Sequence, residues 1–189
     1  MKLDWNLRWL AAGVFVGILA GVSAYQLGVE YACPSRTCVD GADVTPVTDR
    51  GYFDHAFRII SEADESIHIV AFEVKYYSNF PSSLQNQLVR QLIYAKQRGV
   101  DVKVIVDDFS EENNAFDILT ENGIEVRYDS NETTTHAKLI IVDGRIVLLG
   151  STNLSFYGLE QNNEANVLIE DARTAQYYEK YFRSLWDGA

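Results

Sequence analysis

Cysteine, histidine and proline are all scarce in this chain of 189 residues, and each shortage excludes something. With two cysteines it is no disulfide-dense secreted scaffold, a class that staples a small core with several bridges. Cys33 and Cys38 flank Pro-Ser-Arg-Thr, which suits either one small disulfide loop outside the cytoplasm or two ordinary thiols. The histidines stand apart at 55, 68 and 136, so no metal site is expected within one chain. Zinc would need four cysteines shared across a dimer, and no metal or other cofactor is expected. Basic residues are also few, with 16 Lys and Arg against 27 Asp and Glu and a formal charge of −11. The first 29 residues carry only Lys2, Asp4 and Arg8, so the acidic excess belongs to the remainder. An acidic surface disfavours long-range attraction to nucleic acid and to anionic lipid alike, although it permits a local positive pocket. Internal repeats and low-complexity tracts are absent as well, so any chemistry comes from a single set of residues.

Against these shortages stands one long apolar run. Trp9 to Val29 contains no charged side chain. As a helix, its 21 residues would span about 31 Å, the thickness of a hydrocarbon core. Trp5, Trp9 and Tyr25 fall where interfacial aromatics sit, and Lys2 and Arg8 precede the run. Residues 1–29 are therefore expected to form an N-terminal transmembrane helix, with the N-terminus cytoplasmic and the domain extracytoplasmic. The rival is a signal peptide cleaved after Val22-Ser23-Ala24, giving a secreted protein. Residues 30–46, with Pro34, Gly41 and Pro46, read as a linker, and residues 47–189 as one domain.

Within that domain strands alternate with helices. Apolar pairs from Tyr52 to Ile60 recur at helical spacing with Asp49 as a possible cap, and Ser66–Val74 reads as a strand. Leu84, Leu88, Leu92 and Ala95 mark a second helix ended by Gly99. A strand from Asp101, a short helix ending at Gly123 and a strand from Ile124 follow. A final strand starts at Glu164, and Ala172–Trp186 closes the chain as a helix. This alternation predicts an α/β fold with a mixed β-sheet. His68 falls inside an apolar strand and reads as a packed core residue, and His55 as a surface or packing residue.

The informative stretch is HAKLIIVDGRIVLLGSTN, from His136 to Asn153. Asp143-Gly144 between two apolar runs is a strong two-residue hairpin signal. A hairpin folded there pairs Val142 with Arg145, Lys138 with Leu149 and His136 with Ser151. Cross-strand partners share a face, so His136, Lys138, Ser151 and Asn153 should converge at the open end. An imidazole, an ammonium, a hydroxyl and a carboxamide together suit a phosphate group. Asp143 at the closed end, roughly 20 Å away at about 3.3 Å per residue, is expected to fix the turn rather than to catalyse.

The run resembles the HKD signature of the phospholipase D superfamily, H-x-K-x4-D-x6-G-S-x-N. All six fixed positions match: His136, Lys138, Asp143, Gly150, Ser151 and Asn153. Such a match arises by chance in a chain of this size roughly once in several hundred thousand. Glu164 stands where the family places a further glutamate. The resemblance implies an α-β-α sandwich over residues 45–189 and a phosphodiesterase that needs no metal. It also implies a phosphohistidine intermediate formed on His136, with Lys138, Asn153 and Ser151 on the phosphoryl oxygens and Glu164 accepting a hydrogen bond from His136. The family joins two such motifs at one active site, and this chain carries one. A homodimer with one His136 as nucleophile and its copy as acid and base is therefore expected. The substrate stays open between a phospholipid membrane, as in small anchored cardiolipin hydrolases, and nucleic acid, as in small bacterial endonucleases. Aromatics in Lys75–Phe80 and at Phe156-Tyr157 are candidates for the cleft rim and suit either substrate. A third class, an anchored binding protein without activity, sits poorly with a complete motif.

Overall fold

The computed structural model describes residues 43–108, 113–130 and 132–189. The expected membrane span and both cysteines lie outside the described residues, and among these no helix is long and apolar enough to cross a membrane.

Seven strands form one mixed sheet: β1 (Asp43–Thr48), β2 (Ser66–Ala71), β3 (Asp101–Val106), β4 (Glu125–Tyr128), β5 (Lys138–Val142), β6 (Ile146–Gly150) and β7 (Ala165–Glu170). Their spatial order is β1-β7-β6-β5-β2-β3-β4. Strands β2, β3 and β4 run parallel, and the remaining neighbours are antiparallel. The helices are α1 (Gly51–Ser61), α2 (Leu84–Gln97), α3 (Phe116–Glu121) and α4 (Ala172–Trp186).

Alternation along the strands builds two cores. Ile67 and Ile69 of β2, Ile140 and Val142 of β5 and Leu148 of β6 pack with Ala56 and Ile59 of α1, Leu88 and Leu92 of α2 and Leu119 of α3. The intervening Val70, Ile105, Leu139, Ile141 and Val147 pack with Ala175, Phe182 and Trp186 of α4. Helices thus cover both faces of the sheet, which is the expected α-β-α sandwich. Helix α4 is capped by Asp171, whose carboxylate accepts the Thr174 N–H at 2.7 Å.

Four details depart from the sequence reading. Strand β1 begins at Asp43, inside the stretch read as linker, because residues 43–48 pair along the β7 edge. Strand β2 ends at Ala71 rather than Val74, which instead makes an isolated bridge to Leu154. Asp49 does not cap α1; its carboxylate is drawn to the Glu164 N–H at 2.8 Å.

The hairpin register is displaced by one residue: Val142 pairs with Ile146 and Leu139 with Leu149, so Lys138 and His136 lie opposite neither Leu149 nor Ser151. Asp143 and Gly144 have φ of +52° and +58° and Arg145 N–H donates to Val142 C=O, as the expected turn requires. Arg145 is then an extra residue before the ladder resumes. The reason is burial, since the expected pairing would set Arg145 on the buried face beside Val142, while the slip gives that place to Ile146.

Candidate active site

The sheet has one end where chemistry gathers. Phe72 and Glu73 follow β2, Asp107 follows β3, His136 leads into Lys138 at the start of β5, Ser151 and Asn153 follow β6, and Glu164 precedes β7. The antiparallel pairing Ala71↔Lys138 and Gly150↔Asn166 brings all of these to the carboxyl end of the parallel strands. Open α/β sheets bind ligands at that end, in the crevice outside the carboxyl ends of the strands where the loops into the crossover helices diverge.

Lys138 is buried, and its Nζ donates to His136 Nδ1 at 3.1 Å and to the His136 carbonyl at 2.8 Å. An ammonium has only donors, so Nδ1 is the acceptor and the neutral ring carries its proton on Nε2. The Phe72 ring lies 4.6 Å from the exposed imidazole and 5.0 Å from Lys138 Nζ. Burial pushes Lys138 below the ordinary lysine range, against the opposing pull of the Glu164, Glu73 and Asp107 carboxylates. The result is a compact cation held among carboxylates beside a histidine.

The opposite wall is the loop after β6. Ser151 donates its hydroxyl proton to Glu164, whose other oxygen accepts from Asn162 Nδ2 at 2.9 Å. The expected bond from His136 to Glu164 is therefore not formed; the carboxylate is occupied by Ser151 and Asn162. Asn153 is half-buried, and its carboxamide oxygen is buried without a hydrogen-bond partner. Gly150 is required by a close crossing: a Cβ there would come within 2.3 Å of Asn166 Oδ1 and 2.5 Å of the Ala165 carbonyl.

Asp143 lies at the other end of the sheet. Its carboxylate accepts the N–H groups of Asp64, Glu65 and Ser66, at 2.8 Å for Glu65 and 3.0 Å for Ser66. Burial alone would raise this carboxyl, but those N–H groups, with Arg145, hold it below the usual carboxylate range. It fixes the turn to the start of β2 and is remote from the imidazole.

Three supporting residues escaped the sequence reading. Buried Asp107 accepts the Thr135 N–H at 2.7 Å and so holds the residue before His136. Asp49 clamps Glu164 from both sides, donating its N–H to the Glu164 carbonyl at 3.0 Å and accepting the Glu164 N–H. Asn166 accepts the N–H groups of Ser151 and Thr152 and donates to Thr152 Oγ1 at 2.9 Å. The available signals were polar residues at the ends of apolar strands, Asp107 after VKVIV and Asn166 before VLI, which carry no spacing rule of their own. His68 is a packed residue on the α4 face, stacked on Phe182 at 4.5 Å and bonded to Glu179 at 2.9 Å.

A family model described as "Cardiolipin synthase, PLD-like domain" matches residues 57–186. This chain belongs to the phospholipase D-like family. Among curated relatives, mitochondrial cardiolipin hydrolase of Xenopus tropicalis is 31% identical over 144 residues, which are 75% of this chain and 63% of that protein. The Homo sapiens protein of the same name is 36% identical over 104 residues, covering 53% of this chain and 41% of its own length. The chain thus spans less than two thirds of these relatives. Among solved structures, the phospholipase D family member Nuc of Salmonella typhimurium superposes with a TM-score of 0.67 at 25% identity, over 78% of this chain and 95% of that one.

Proposed function

We propose that this phospholipase D-like protein hydrolyses phosphodiesters through a phosphohistidine, and that its substrate is the headgroup diester of a phospholipid. The observation that carries the reading is the exposed His136 imidazole held 3.1 Å from a buried lysine ammonium, with Ser151, Asn153 and Glu164 at the same end of the sheet. A phosphate docked there meets Lys138, Asn153 and Ser151 as donors to its non-bridging oxygens. His136 attacks phosphorus, forming a P–N bond as the P–O bond to the leaving group breaks. The departing alkoxide takes a proton from the partner subunit's His136 in a homodimer. That second imidazole then deprotonates water, whose attack on phosphorus breaks the P–N bond and frees His136. For attack through Nε2 the ring proton must sit on Nδ1, which requires an acceptor there. Glu164, the foremost of the carboxylates acting on Lys138, fills that role once substrate draws Ser151 and Lys138 onto the phosphate.

The lipid reading joins this chemistry to the apolar run at residues 9–29, which as a membrane anchor would hold an extracytoplasmic domain close to headgroups. Cleavage of that run would give a secreted enzyme with the same site. The second reading is a nuclease, favoured by the near-complete coverage of Nuc and opposed by the charge of −11. The test is turnover by the full chain in detergent and EDTA, wild type against His136→Asn, on phospholipid vesicles and separately on single- and double-stranded nucleic acid. Headgroup release that vanishes in the variant supports the lipid reading, and cleavage of nucleic acid alone replaces it. Mixing wild type with His136→Asn reads the dimer: activity falls with the square of the wild-type fraction if two chains share one site, and linearly if they do not.

A further inference from the structure

Two segments leave the catalytic end of the sheet together. Leu154 donates its N–H to the Glu73 carbonyl at 3.1 Å, and Lys75 donates to the Leu154 carbonyl at 2.9 Å. Beyond this bridge they diverge and wall a groove of about 660 Å³, with Tyr77, Phe80 and Leu84 on one side and Phe156, Tyr157 and Glu160 on the other. Phe156 is three residues from Asn153, at most about 11 Å of chain. The connection is stiff as well as short. Residues Tyr157–Gln161 form a π-helical turn, a form frequent at functional sites. Gly158 packs so closely that a Cβ would stand 2.3 Å from the Asn153 carbonyl. The groove wall is thus registered on a residue of the phosphate site.

Phe80 and Tyr157 are 67% and 66% exposed, which concentrates apolar surface where water gains nothing from it. Among the described residues the groove lining holds one charged side chain, the carboxylate of Glu160. A nucleic-acid strand tracked along this path would need cations for each phosphate and would meet an anion instead. An uncharged hydrocarbon chain needs none, and the volume lies in the range of about 300–1,000 Å³ typical of small-molecule sites. We propose that this groove takes an acyl chain of an amphiphilic phosphodiester whose phosphate lies at His136 and Lys138. The inference rests on the phospholipid reading above and adds a chain-binding subsite to it.

The test uses the full chain with dioleoyl phosphatidylcholine in mixed detergent micelles and bis(4-nitrophenyl) phosphate as a diester without acyl chains. In the double variant Phe80→Ala/Tyr157→Ala, KM for the lipid should rise on the order of tenfold or more, as expected for lost aromatic contact. kcat for the lipid and both constants for the chainless diester should stay put. A series of acyl lengths from butyryl to palmitoyl on wild type should show kcat/KM climbing with length. A flat series, or an unmoved KM with lipid turnover intact, overturns the groove alone. Equal losses on both substrates, or loss of dimer mass in the variant, overturn it too, the latter assigning the groove to contact between copies. If wild type cleaves the chainless diester and nucleic acid but never the lipid, it is the phospholipid reading itself that fails.

Discussion

Replacing Asp143 by Asn separates the structural from the catalytic part of the motif. The side chain is 4% exposed and anchors three backbone N–H groups, at 2.8 Å, 3.0 Å and 3.2 Å. Asn tolerates the φ of +52° as Asp does, so backbone strain does not enter. The amide keeps one acceptor oxygen but loses its charge, and its NH2 faces donors. The cost is one hydrogen bond and the charge assistance of the others, about 2 kcal/mol in all. The ion pair to Arg145 adds little, because Arg145 is 61% exposed. For a domain of this size about 2 kcal/mol lowers Tm by roughly 4–8 °C. The carboxyl is held below its unfolded value, so its contribution is complete above that value, about pH 4, and fades as pH falls through the folded one. Wild type and variant should therefore differ in thermal unfolding at pH 7 and converge in strong acid. Phosphodiester turnover at a temperature where both are folded should stay within about threefold, since the imidazole and its lysine are untouched. A loss of a hundredfold or more with Tm unchanged would refute the argument and place Asp143 in the catalytic machinery.

Two further substitutions probe the frame around the site. Asp49→Ala removes the acceptor of the Glu164 N–H and leaves a φ of +49° for a residue that tolerates it poorly, so kcat should fall on the order of tenfold, with Asp49→Asn restoring it. If the Asn variant is as slow as the Ala variant, the clamp is not what holds Glu164. Glu179→Ala strips His68 Nδ1 of its partner in a half-buried position and should cost about 1–3 kcal/mol in thermal unfolding while kcat at low temperature stays unchanged. A kinetic defect with unchanged Tm would mean that the α4 face communicates with the site.

How much of this was legible in the sequence depends on the range of the interaction. The sandwich could be read because each strand repeats its apolar pattern every two residues and each helix carries a buried stripe, and both are local signals. The HKD residues could be read because their spacing within one hairpin is also local. The register could not, since it turned on which of Arg145 and Ile146 would face a helix layer contributed by distant residues. The clamps could not either. Asp49 and Glu164 are 115 positions apart, and Asp107 and Thr135 are 28 apart, so only the strand order β1-β7-β6-β5-β2-β3 makes them neighbours. Glu164 shows the limit most plainly. Its position past Asn153 identified it as a site residue, but its present partner was settled by the loop that Asn166 holds.

That partner also suggests why the site rests as it does. Ser151 on Glu164 and Lys138 on His136 are two pairings that satisfy these four groups without substrate, and leaving any of them unpaired in this half-buried cleft would be costly. A phosphate competes for both donors at once. On the mechanism proposed above, taking Ser151 and Lys138 onto its oxygens would free one oxygen of the Glu164 carboxylate and the His136 Nδ1 together, and the two freed groups would be complementary once the ring proton shifts. Binding and activation of the nucleophile would then be one event, and an idle enzyme keeps Nε2 protonated. The arrangement predicts that Ser151→Ala, which frees one oxygen of Glu164 permanently, lowers kcat less than Glu164→Gln does, because only the latter removes the charged acceptor that the imidazole needs; steady-state kinetics showing Ser151→Ala as slow as Glu164→Gln would refute it.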